Sequence, residues 1–128
     1  MSQHIIWNEV TTLVDEATLT KSTSNTQTIN LRQLGADVIH IQAEVAFHAS
    51  ATGNVVLTFF NSVDDGTTVD NATGATIATL TVTCDQGETV AITQKLEGYP
   101  HVTVVATNAD ASYDQTLTVR YRTGSYKD

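Results

Sequence analysis

The densest group of cation-capable side chains is Asp64-Asp65-Gly66-Thr67-Thr68-Val69-Asp70-Asn71. Calcium takes six to eight oxygen ligands, and Asp, Asn and backbone carbonyls supply them. Asp64, Asp65, Asp70 and Asn71 are therefore the candidate ligands. The loop lacks the bidentate Glu at the twelfth position of an EF-hand. A tight Asp65-Gly66 turn in a solvated loop explains the residues without metal, so no metal or cofactor is expected. A second group, His40, Glu44 and His48, shares one polar strand face and invites a zinc reading. At ~3.3 Å per residue His40 and His48 lie roughly 26 Å apart, with Glu44 about 13 Å from each, so they cannot share an ion. Surface or interface histidines are the expectation.

Nucleophilic chemistry finds no support either. No G-x-S-x-G elbow occurs, and no glycine loop is suited to cradle phosphate. Cys84 falls on the apolar side of its segment, where a thiol behaves as a small hydrophobe. The carboxylates scatter over turns rather than forming a pair for glycoside hydrolysis. The expectation is a protein that is not an enzyme. Trp7, Tyr99, Tyr113 and Tyr126 lie near strand ends or loops and would suit a carbohydrate platform, although packing also accounts for them.

The elements that must position these residues follow from composition and pattern. The 128 residues fit one domain with a core of its own. Six Lys and Arg stand against 14 Asp and Glu, a formal charge of −8. That balance disfavours nucleic acid and anionic membranes as partners. One cysteine excludes an internal disulfide framework. Charged residues make up 16%, below the usual value near 25%. Thr, Asn, Ser and Gln supply the polar surface instead. No run approaches the ~20 apolar residues of a membrane span. Met1 to Val10 shows no secretory signal pattern, so synthesis and folding in a reducing cytoplasm are expected.

Turn signals about every ten residues, with abundant Thr and Val, predict an all-β sandwich. Ile39, Ile41, Ala43, Val45 and Phe47 alternate with polar neighbours over Val38 to Ala49. Val55 to Asn61 is apolar on both faces, with Val56 and Phe60 on the second face. Further strands are expected near 78–84, 89–96, 101–107 and 115–122. Ile6, Val10, Leu13, Val14 and Ala17 fit a helical stripe, but the Thr content favours a strand over Thr11 to Leu19. Another strand is expected over Thr26 to Leu31. The count is seven to eight antiparallel strands, with an N-terminal arm over 1–10 and the sandwich over 11–128. The apolar run Ile5-Ile6-Trp7 suits an arm that anchors to a neighbour.

Several runs carry a resemblance. They are Leu13-Val14-Asp15-Glu16-Ala17-Thr18-Leu19-Thr20, Thr28-Ile29-Asn30-Leu31, the strand Val38 to Phe47, Ala51 to Leu57, Asn61 to Asp70, and Val102 to Asn108. Together they resemble small β-sandwich structural proteins of tailed bacteriophages, particularly capsid decoration or cement proteins. The resemblance is one of pattern over most of the chain. An extra Asp precedes Gly66, and Val69 stands where an aromatic often follows such a turn. It implies a virion protein with a jelly-roll-like sandwich and no catalytic residues. The implied partners are the major capsid protein or other virion subunits. A homo-oligomer is expected, a trimer over a lattice symmetry axis. Ile5, Ile6, Trp7, Val56 and Phe60 are the candidate partner contacts. Two alternatives remain: another virion component, such as a head-tail connector, tail or fibre protein, and a carbohydrate-binding module for host adsorption.

Overall fold

The computed structural model describes residues 4–62, 76–99 and 101–127. Among these residues nine strands form: β1 (His4–Trp7), β2 (Thr11–Leu19), β3 (Ser24–Asn30), β4 (Val38–Ala46), β5 (Val55–Ser62), β6 (Thr76–Val82), β7 (Thr89–Glu97), β8 (His101–Asn108) and β9 (Gln115–Lys127). Among the described residues there is no helix, so no helix long and apolar enough to cross a membrane.

All pairings are antiparallel. β2 pairs with β9, β3 with β8, β4 with β7 and β5 with β6. These pairs are nested, so β2–β5 and β6–β9 form one long ribbon. Wrapping that ribbon adds the β4–β9 and β5–β8 ladders. The product is two sheets, with β9-β4-β7 flanked by β2 in one and β3-β8-β5-β6 in the other. This is the jelly-roll arrangement of a double-sheet sandwich. Nine strands rather than seven or eight arise because residues 4–7, expected as an arm, pair with Trp7 opposite Gly124 and His4 opposite Lys127. β1 and β2 thus lie end to end along one side of the 13-residue β9.

Alternation sets the core. Ile39, Ile41, Ala43 and Val45 of β4 are buried while His40 and Gln42 are exposed. Val55, Leu57 and Phe59 face the core from β5, and Val56 and Phe60 are half-buried on the opposite face. Removing Phe59 from such a site costs about 3–5 kcal/mol. On the Thr-rich outer faces, cross-strand hydroxyls pair with one another, Ser24 with Thr107 at 2.8 Å and Thr28 with Thr103 at 3.1 Å. Neutral side chains thereby cover the sheet without charge.

β2 explains the ambiguous stripe at the N-terminus. Its register against β9 shifts between Thr12 and Val14 and again between Val14 and Ala17. Glu16 sits in the left-handed region at φ 45°. Each bulge adds a residue to one strand without adding a partner. Val14, Ala17 and Leu19 therefore all pair with the inward residues Val119, Leu117 and Gln115. The spacing Val14 to Ala17 imitates a helix turn because a bulge lies between them.

Candidate functional site

The upper end of the sandwich carries the β2–β3, β4–β5, β6–β7 and β8–β9 connections. Asp110, 2% exposed, is their hub. One carboxylate oxygen accepts the Thr52 and Gly53 amides at 2.8 and 3.0 Å. The other accepts those of Ser112 and Tyr113 at 2.8 and 2.9 Å. The Thr52, Ser112, Gly53 and Tyr113 amides, in that order of influence, outweigh burial and hold the carboxyl far below the usual carboxylate range. Gly53 is required by proximity, since a Cβ there would stand 2.6 Å from the Asp110 backbone. Fully buried Asn108 donates to the Leu19 and Tyr113 carbonyls and accepts from Asp110. Buried Gln115 accepts the His48 amide. These polar groups hold the connections together.

The lower end is built differently. β9 outruns β4 by residues 125–127, and β1 pairs along that overhang. Trp7 and Ile5 lie over Gly124, where a Cβ would stand 2.6 Å from Ile5 Cγ2 and 3.1 Å from Trp7 Cε3. The Trp7 ring is 6.2 Å from the His40 ring, and the Arg122 guanidinium lies 5.5 Å from its centroid. Arg122 Nε donates to the Asn8 carbonyl at 3.2 Å. Asn8 in turn fixes the end of β1 through Thr123, donating 2.8 Å bonds from its amide and side chain. Val38 shares the Gly124 row and is fully buried, yet it stands outside the main core cluster.

Two recesses flank this aromatic patch. A small one of about 80 Å³ lies between Val10, His40, Gln42, Arg120 and Arg122. A larger one of about 480 Å³ is lined by Asp37, Glu97, Tyr99 and Tyr126. The Tyr126 hydroxyl donates to the Glu97 carboxylate. The Tyr126 amide donates to Asp37 Oδ2 at 3.0 Å. Among the described residues Asp37 Oδ1, Glu97 Oε1 and the terminal nitrogens of Arg122 have no hydrogen-bond partner.

His40, Glu44 and His48 occupy three separate environments. His40 meets Trp7, Glu44 pairs with Arg120 at 3.2 Å, and His48 stacks on Tyr113 at 4.5 Å. Asp64, Asp65, Asp70 and Asn71 lie outside the described residues. Among the described residues no three His, Cys, Asp or Glu are grouped to hold a metal ion. Cys84 donates to the Ala51 carbonyl at 3.3 Å. Burial, then Asp110 and Asp85, push its thiol pKa up, which disfavours the reactive thiolate.

Ile6 is 47% exposed, and its partner Ser125 donates to the Gly35 carbonyl at 3.1 Å, next to the 52%-exposed Leu34. Ile5 and Trp7 are half-buried on their own sheet. Val56 and Phe60 lie on the other sheet, opposite threonines of β6 and β8. The five candidate contacts thus fall on three surfaces: Ile5 and Trp7 on one face of β1, Ile6 on its other face, and Val56 and Phe60 on the second sheet. Sequence reasoning missed Asp37, Glu97 and Arg122, which have no motif and converge only through register. The tyrosines and Trp7 were visible as aromatics at strand ends, without any sign that three of them share one end.

The sequence matches no protein-family model and no curated protein. Among solved structures, the chain is similar to a protein of Bacillus endospore appendages, described as a novel family of disulfide-linked pili. The TM-score is 0.52 at 15% identity, over 98% of this chain and 91% of that one. At that identity the likeness is one of fold: the chain is an all-β, two-sheet sandwich.

Proposed function

We propose that this chain is a non-enzymatic structural subunit, a decoration protein that binds and stabilises the outer head lattice of a tailed bacteriophage. The observation that carries the reading is the pair of exposed apolar side chains, Ile6 and Leu34, beside the β1–β9 overhang. An apolar patch on a stiff, low-charge sandwich suits burial against another protein, where unpaired charge is costly. Lattice repetition then sums modest energies over many copies. Neutral Thr surfaces and the hydrogen-bonded upper loops supply rigidity rather than a reaction site.

The appendage protein's fold is compatible with a subunit role of this general kind. Its disulfide-linked mode does not transfer, because the single cysteine of these 128 residues makes at most one bond and so joins chains only in pairs. Contacts between copies in this reading are non-covalent, a trimer over a lattice axis being the proposed form.

The reading is tested by mixing the purified chain with phage heads stripped of decoration protein and measuring bound copies by sedimentation. Ile6→Asp with Leu34→Asp is expected to abolish occupancy and leave the melting temperature nearly unchanged. Wild-type chain that stays monomeric and never sediments with heads sinks the proposal.

A further inference from the structure

We propose that the lower end of the β1/β2-β9-β4-β7 sheet binds a neutral oligosaccharide, with Trp7 and Tyr126 as the stacking surface. The chain has one Trp and four Tyr. Trp7, Tyr99 and Tyr126 gather at this end, while Tyr113 stacks on His48 at the other and Tyr121 packs against the core. Trp7 pairs with Gly124 and Tyr126 with Ile5, so strand alternation sends Trp7 and Tyr126 to the same outer face. Diagonal neighbours of this kind lie about 7–8 Å apart, within reach of aromatic side chains. A pyranose presents an apolar C–H face that covers an aromatic ring and an edge of hydroxyls that each donate and accept.

The surroundings supply both complements. Arg122 and Gln42 offer N–H donors, and Asp37 Oδ1 and Glu97 Oε1 offer acceptors without a partner among the described residues. The guanidinium over Trp7 and the Tyr126–Glu97 contact hold these groups in place before any ligand arrives. Charges of both signs stand near this end, with Lys95 and Arg122 in register with His40 on the two flanking strands and Asp37 and Glu97 lining the recess. That balance gives no advantage to an anionic ligand and suits an uncharged one. The recess of about 480 Å³ accommodates a small sugar unit, with aromatic walls and few directional polar groups. This inference stands apart from the proposed capsid contact, since Ile6 points to the other face of β1.

Trp7 is the one tryptophan of the sequence and sits diagonally across from Tyr126, so its fluorescence reports from the edge of this site. The intact chain would be titrated with lactose, maltose, cellobiose and diacetylchitobiose. A saturable change in Trp7 emission is expected for at least one disaccharide, with a millimolar or tighter Kd. Arg122→Ala and Tyr126→Ala should each weaken it by about tenfold or more, and Tyr113→Ala at the opposite end should leave it unchanged. Glu97→Gln, nearly isosteric, provides the same test if Tyr126→Ala melts early. No saturable change with any of the four sugars, or one that survives both Arg122→Ala and Glu97→Gln, overturns the proposal.

Discussion

At the upper end, Asp110, Asn108 and Gln115 have their side-chain polar atoms taken up by backbone groups of their own and neighbouring connections. At the lower end, the side chains of Asp37, Glu97 and Arg122 each make one hydrogen bond among the described residues and keep further polar atoms open. Both ends use few charged residues, yet one spends them on cohesion and the other leaves them facing solvent. The difference follows from burial. A carboxylate at 2% exposure must be fully hydrogen-bonded or its desolvation is uncompensated. An exposed carboxylate on a sheet rim has water as its partner and is available to a ligand.

Removing the upper hub is the harshest way to break this contrast. Asp110→Ala leaves four amides of two loops without their acceptor. Thermal unfolding should fall by roughly 10 °C or more. The sign with pH is definite. The folded carboxyl titrates below the unfolded value near 3.9, so its stabilisation is complete above that pH and is lost as pH falls below it. Asp110→Asn should flatten the acid side of the stability profile relative to wild type, as read by denaturant melts at pH 2 to 5. An unchanged profile would mean that the hub is not the acid-sensitive element.

A milder effect belongs to the lower end. Gly124→Ala places a methyl 2.6 Å from Ile5 Cγ2 and pushes β1 off the sheet. A loss of about 1–3 kcal/mol is expected, together with a red shift of Trp7 emission as the indole becomes wetter. If emission stays constant, Trp7 is held by something other than its seat on Gly124. The smallest effect is expected on the face between the two ends. The Arg120–Glu44 pair is partly exposed, at 40% and 31% for the two side chains, so Glu44→Gln should change stability by less than about 1 kcal/mol. A larger loss would show that the outer face of this sheet is more than a solvated surface.

Much of this architecture is legible along the chain. The β2 span is read from its residues, and the strict alternation in β4 and the two-faced β5 each report local burial. The arm over 1–10 is not legible as a strand, because four residues carry too little pattern and their partner lies more than a hundred positions away. The bulges of β2 disguise its period for a related reason: a bulge is a property of the pair, and one strand alone does not reveal it.

The site follows the same division. Residue type and spacing alone determined that the protein is β-rich, low in charge, net negative and without a G-x-S-x-G elbow, since these depend on composition and near-neighbour order. Only the tertiary structure decided that Asp110 is locked by Thr52, Gly53, Ser112 and Tyr113. It likewise decided that Trp7, Arg122, Glu97 and Tyr126 meet at one end. Those meetings depend on the register of nested pairs closing between distant strands, and a one-residue slip would send each of these side chains to the opposite face.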